Sequence, residues 1–210
     1  MQVLKTYESD FQLWGKRDYV HGSHMIYQLF DAVKAWGFKG IDRMTALFRS
    51  NLREQGTYLL FNGKSAKGGK EKFFATFKLN IGGVRYLVGI KGNGKAVTGT
   101  LPDDEEALIR CGTIQKEENT AAISDYPIDR FINVIIALNK KLNDEIIPSD
   151  GFGPWFMAQL DLHFSEVDLS RPGDILVRLV NSIGGKMTKS VIEINGKEAG
   201  EIYFNRRTLA

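Results

Sequence analysis

The chain has one cysteine, Cys111, in 210 residues, which excludes an internal disulfide and fits a reducing cytoplasm. That residue reads as a packing side chain with no histidine near it in sequence. No apolar run approaches the length of a membrane span, so no membrane partner is expected. Met1 leads into Gln-Val-Leu-Lys-Thr-Tyr, without the basic start and apolar stretch of a signal peptide, and a cytoplasmic location is expected. Histidines are also few. His21, His24 and His163 show no paired Cys or carboxylate spacing, so neither a metal nor a cofactor is expected. Long basic runs are missing, the formal charge is only +3, and the Lys64–Lys72 cluster reads as a solvated hairpin. Nucleic acid is therefore not an expected partner. What is present, 43% hydrophobic and 25% charged residues, is enough for one large domain or two small ones.

The most informative stretch runs from Tyr19 to Trp36. Met25, Ile26, Leu29, Val33 and Trp36 form a wide helical face, with Tyr27, Asp31 and Lys34 opposite, and Gly37 and Gly40 end the helix. His21-Gly22-Ser23 places small residues and unsatisfied backbone N–H groups at its start. Strand-like runs follow at 42–53, 57–63, 71–80 and 83–91, punctuated by glycines as hairpins require. A polar stretch at 96–106 reads as a linker, and a strand is expected near 107–116. Tyr126–Asn143 makes a second helix, with Pro127 in its first turn and Ile128, Phe131, Ile132, Ile135 and Leu142 on one face. Strands are then expected at 155–167, 174–182, 187–194 and 198–206. Asn139 lies amid the apolar face as a buried hydrogen-bonding residue, and His163 alternates with Leu162 and Phe164 toward the surface.

A helix followed by four strands thus occurs twice. Phe48–Gly56 parallels Phe164–Gly173, Gly68-Gly69-Lys70 parallels Gly184-Gly185-Lys186, and Gly82-Gly83 and Asn195-Gly196 mark the last hairpin of each half. This ordered series points to duplication. A long apolar helix followed by an antiparallel meander is the layout of a sheet wrapped around a helix.

Three places carry a family resemblance. Val20-His21-Gly22 resembles the His-Gly helix openings of hot-dog enoyl hydratases and thioesterases. Ser170-Arg-Pro-Gly-Asp174 resembles a turn common between hot-dog strands. Tyr126-Pro-x-x-Asp129-x-x-x-Asn133 is similar to the start of the second helix in polyketide synthase dehydratase domains. The chain differs from those families in having Asn133 where a Gln or His is usual, and Phe30 where many thioesterases place a carboxylate. The resemblance implies an α+β double hot-dog: a first half at 1–95, the linker at 96–106, and a second half at 107–210. It also implies an acyl-thioester substrate on acyl carrier protein or coenzyme A, and leaves a homodimer open.

The chemistry expected from the resemblance is dehydration or hydration of a β-hydroxyacyl/enoyl pair, with thioester hydrolysis as the second reading. A non-catalytic module that binds an acyl chain is the third. The amides of Gly22 and Ser23 would hold the thioester oxygen as charge develops. His21 or His24, with Asp129, would supply the base and the acid, and Asn133 would orient the carboxylate or bond the leaving water. One working site is expected, because the second helix opens with Tyr-Pro-Ile-Asp. Bland readings stand beside these roles. The histidines can be helix-start residues satisfied locally, and a carboxylate in a first helical turn is favoured by the dipole. Lys64, Lys67, Lys70 and Lys72 could meet a carrier's acidic surface or a coenzyme's phosphates, or only water.

Overall fold

The computed structural model describes residues 2–63, 72–102, 104–126, 128–149, 151–167 and 173–207. The chain divides into two units, Met1–Asp103 and Asp104–Ala210. The first contains β1 (Val3–Glu8), β2 (Leu13–Trp14), α1 (Gly22–Ala35), β3 (Arg43–Phe48), β4 (Glu54–Asn62), β5 (Ala75–Ile81), β6 (Val84–Ala96) and β7 (Thr100–Leu101). Its main sheet is antiparallel in the order β1-β4-β6-β5-β3, and β2 and β7 form a short parallel pair. The 96–106 stretch read as a linker contains both β7 and the boundary between the units.

α1 forms where the periodicity places it and buries Met25, Ile26, Leu29, Ala32 and Val33. Its end is a Schellman motif. Phe38 N–H reaches Val33 O at 3.1 Å, Gly37 N–H reaches Lys34 O at 2.9 Å, and Gly37 takes φ +85°. The sheet buries alternate residues: Met44 and Ala46, Tyr58 and Leu60, Phe77 and Leu79, Val88 and Ile90. Two contacts tie α1 to strands directly. Tyr58 Oη donates to Met25 O at 2.6 Å, and Trp36 Nε1 donates to Thr6 O at 3.0 Å.

The second unit contains α2 (Glu105–Leu108), β8 (Thr113–Gln115), β9 (Thr120–Ile123), a 3₁₀ turn (Ile128–Arg130) and α3 (Phe131–Ile146). β10 (Phe156–His163), β11 (Ile175–Ile183), β12 (Met187–Ile194) and β13 (Lys197–Asn205) follow. Within this unit the antiparallel order is β10-β13-β12-β11-β9-β8. α3 packs on β9, β11 and β12. Of the strand expected near 107–116, only Thr113–Gln115 (β8) forms; the helical turn α2 precedes it, and a second short strand, β9, follows outside that range. Glu105 and Glu106 fall in the first turn of α2, where carboxylates favour a helix start. The strand expected at 155–167 stops at His163, where a 3₁₀ turn begins. Cys111 is exposed and so is not the packing residue expected. Asn139 is fully buried, as expected, and accepts from Ser190 Oγ at 2.6 Å.

In both units a two-residue turn with two positive φ values joins neighbouring strands of the main sheet, β5 to β6 and β12 to β13. Gly82-Gly83 lies at +55° and +77°, and Asn195-Gly196 at +54° and +72°. That geometry matches the right-handed twist of the strands it joins. The proposed match between Gly68-Gly69-Lys70 and Gly184-Gly185-Lys186 rests in the first half on residues outside the described ones. The same holds for the Ser170-Arg-Pro part of the hot-dog turn. Asp174, at its end, donates its N–H to Asn195 Oδ1 at 2.9 Å.

Candidate active site

The first unit gathers both N-terminal histidines at the opening of α1. Met25 N–H to His21 O, at 3.2 Å, is the first bond of the helix, so the amides of Gly22, Ser23 and His24 precede its ladder. Val20 N–H is held by Leu52 O at 2.8 Å, which sets the angle at which the chain enters the helix. His21 is buried, with Nδ1 2.8 Å from Ser23 Oγ, and its ring meets Trp14 edge-on at 4.8 Å. Ser23 is fully buried, whereas Gly22 and His24 are partly open. The indole N–H of Trp14 is buried and has no hydrogen-bond partner among the described residues.

His24 lies half-buried against Phe11, with ring centres 5.7 Å apart. Its Nδ1 faces the main chain of Gln12, 3.2 Å from the carbonyl oxygen and 3.4 Å from the amide nitrogen. Burial holds the imidazole below the ordinary histidine value; the Gln12 backbone, Asp10 and Asp31 oppose that shift. At neutral pH the ring is therefore uncharged and can accept a proton. Its Nε2 has no hydrogen-bond partner among the described residues.

Two residues that the sequence pattern does not single out support the loop that meets His24. Phe11 is fully buried, edges on His24, and lies 6.0 Å from Tyr58. A side chain at Gly56 would meet Phe11 Cε2 at 3.0 Å, so the small residue lets the ring approach β4. Gln55 is the second. It is buried inside a strand whose neighbours Glu54 and Gly56 flank a shift in register against β6. A bulge breaks the alternation there, and Gln55 and Gly56 are both buried in succession. The glutamine was visible as a residue type in β4; its direction was not.

In the second unit, Asp129 lies exposed in the 3₁₀ turn that leads into α3. The next residue, Arg130, forms a two-pronged ion pair with Asp104 at 2.5 and 2.8 Å. Asn133 is buried one turn further on, and its Oδ1 has no partner among the described residues. Lys64, Lys67 and Lys70 lie outside the described residues. Among those described, no group of three or more His, Cys, Asp or Glu could hold a metal ion, and no helix is long and apolar enough to cross a membrane.

No family model matches the sequence, and no curated protein matches it. Solved structures do. A protein from Thermobifida fusca, named provisionally as a thioesterase II, superposes with a TM-score of 0.53 at 10% identity, covering 96% of this chain and 91% of that one. The 12:0-ACP thioesterase from Umbellularia californica gives 0.50 at 9% identity, covering 97% of each chain. A pyran synthase domain from module nine of the sorangicin pathway gives 0.51 at 12% identity, over 98% and 93%. The shared feature is the fold. This chain has the α+β hot-dog fold in two copies, with nearly its whole length aligned.

Proposed function

We propose that the protein is an enzyme acting on acyl thioesters of acyl carrier protein or coenzyme A, with its reacting centre at the opening of α1. The observation that carries this is a half-buried imidazole, held below the ordinary histidine value by burial, beside a helix start whose first amides precede the hydrogen-bond ladder. The Gly22 amide would hold the thioester carbonyl oxygen as negative charge develops on it. His24, through Nε2, would take the proton from the carbon next to the thioester. The C–O bond of the β-hydroxyl then breaks, the carbon–carbon double bond forms, and the hydroxyl leaves as water after receiving a proton. His21, engaged by Ser23 and set edge-on to Trp14, orients the helix start in this reading. Asp129 is carried forward as the acid that protonates the departing hydroxyl, and Asn133 as its neighbour, on residue chemistry alone.

Dehydration or hydration is the first reading. Hydrolysis is the second, favoured by the likeness to two proteins named as thioesterases. Intact-mass measurement of carrier protein loaded with β-hydroxyacyl or enoyl chains separates them. Loss or gain of one water, abolished by His24→Ala and by Asp129→Asn, is expected. Release of free acid would move the assignment to hydrolysis. No change with any chain or carrier would leave only the ligand-binding reading.

A further inference from the structure

We infer that Gln55 is a positioning residue for His24: it grips the Phe11 main chain so that Gln12 C=O accepts from Nδ1–H and Nε2 faces the substrate. The inference rests on the reading of His24 as the base. Both ends of the Gln55 amide close on one residue. Phe11 N–H donates to Oε1 at 2.6 Å, and Nε2 donates to Phe11 O at 2.8 Å. The neighbouring turn is tied to the same strand. Ser9 N–H donates to Gly56 O at 2.9 Å, and Gly56 N–H donates to Ser9 Oγ at 2.8 Å. Ser9 Oγ has one proton to give, and Gly56 O at 2.8 Å is nearer than Gln55 Oε1 at 3.3 Å. On the far side, Leu13 N–H bonds to Gly99 O at 3.2 Å, where β2 meets β7.

Phe11 C=O and Gln12 N–H belong to one planar peptide and point in opposite directions. Holding that carbonyl on Gln55 fixes this plane, with Gln12 N–H and Cα in it, and the next plane, which carries Gln12 C=O, is held at its other end by Leu13 N–H on Gly99 O. The two Gln12 groups ask for opposite tautomers. A bond from Nδ1–H to the carbonyl leaves the lone pair on Nε2, whereas a bond from the amide to Nδ1 puts the proton on Nε2. The carbonyl is the nearer of the two partners, 3.2 against 3.4 Å. Phe11, fully buried over Gly56, backs the ring and stops it turning away. Asp10 on the same loop and Asp31 on α1 are the charged groups that act on this imidazole.

The direct test is long-range proton–nitrogen NMR of the full chain labelled at histidine, followed through a pH titration. The expected wild-type signature is His24 protonated on Nδ1 in its neutral form. Gln55→Met, of similar length and apolar, should give a tautomer mixture and move the titration midpoint. Gln12→Ala should leave both unchanged, because the main chain makes the contact. Protonation on Nε2 in the wild type, or an unaltered spectrum in Gln55→Met, would overturn the inference, as would equal effects of Gln12→Ala. If Gln55→Met does not fold, Gln55→Glu, which keeps the acceptor for Phe11 N–H, replaces it. Once a substrate is in hand, Gln55→Met should lower kcat by about tenfold with KM unchanged. A wild type without turnover on any acyl thioester would sink the functional reading and leave the tautomer result standing.

Discussion

The two units share a chain order but not a strand order. Each runs helix, two strands, then two strands joined by a two-residue turn. In the first unit that terminal hairpin presents its leading strand to β3, as β3-β5-β6-β4. In the second it presents its trailing strand to β10, as β10-β13-β12-β11. The reason lies one connection earlier. β11 and β12 are themselves joined by the tight turn at Gly184-Gly185, which pairs them as neighbours, with Ile183 opposite Met187. β4 instead pairs with β6, so the chain leaving β4 returns two strands away in β5. A repeated sequence pattern can therefore specify the elements and the last turn while leaving open which side of the hairpin faces the rest of the sheet.

The helices differ in kind as well. α1 buries an apolar face and gathers two imidazoles at its start. α3 buries Asn133, Asn139 and Asn143, and two of these meet β12: Ser190 Oγ donates to Asn139 Oδ1 at 2.6 Å, and Asn143 Nδ2 donates to Thr188 Oγ1 at 3.1 Å. Such a seam is costly to leave half-made, so polarity here ties α3 to one register on the strand.

The largest expected effect is also in the second unit. Arg206 is buried, with its guanidinium 4.5 Å from the Phe152 ring and 4.3 Å from that of Trp155; it donates to Gly185 O at 2.5 Å and to Pro148 O. Arg206→Met should lower stability by roughly 3 kcal/mol, because two carbonyls lose a donor and the stacking is lost. Calorimetry showing a loss below about 1 kcal/mol would remove this anchor from the comparison.

The seam between α3 and β12 comes next. Ser190→Ala, which strands a buried amide oxygen, should cost about 1–3 kcal/mol. Pairing it with Asn139→Leu should recover much of that loss, since removing both partners is cheaper than removing one. If the double variant is as unstable as the sum of the single ones, the two side chains are not coupled and the contrast with α1 fails.

The shared hairpin predicts equal effects in the two units. Gly83→Ala and Gly196→Ala meet no neighbouring atom, so each should cost about 1 kcal/mol from the positive φ alone. Thermal shifts that differ several-fold would show that the turns are not equivalent.

Smallest is the tether of α2 to α3. The Arg130 guanidinium holds the Asp104 carboxyl below its usual range, and the pair is about one-third exposed. A lowered folded value means that its stabilisation is present above the unfolded carboxylate range and lost as pH falls through the folded value. Screening keeps it under about 1 kcal/mol. Asp104→Asn should flatten that part of the pH–stability curve; an unchanged curve would remove the tether. His24 acts at higher pH. Its lowered value favours the neutral folded state, so stability should decline as pH drops below the ordinary histidine value.

Much of this molecule was legible from local pattern. The face of α1, its glycine stop, the eight principal strands after the two helices, and both terminal turns follow from periodicity and from residues that tolerate positive φ. Those signals act over a few residues and need no partner. The extra strand β9 and helix α2 were hidden because Thr120–Ile123 is only four residues long and two glutamates turned the preceding segment helical. At the site, the histidines and Gly22 were visible as residue types. Phe11 and Gln55 were not, because a bulge reverses the side on which Gln55 falls, and alternation cannot be read through it.

The sequence by itself determined the order of elements, the helix ends and the identity of the imidazoles, since each depends on backbone preferences and side chains close along the chain. The tertiary structure alone decided which strands became neighbours, that Gln55 turned inward to hold Phe11, and that His24 met the Gln12 carbonyl. Those outcomes depend on hydrogen bonds between segments a dozen to more than forty residues apart, and no local pattern encodes their pairing.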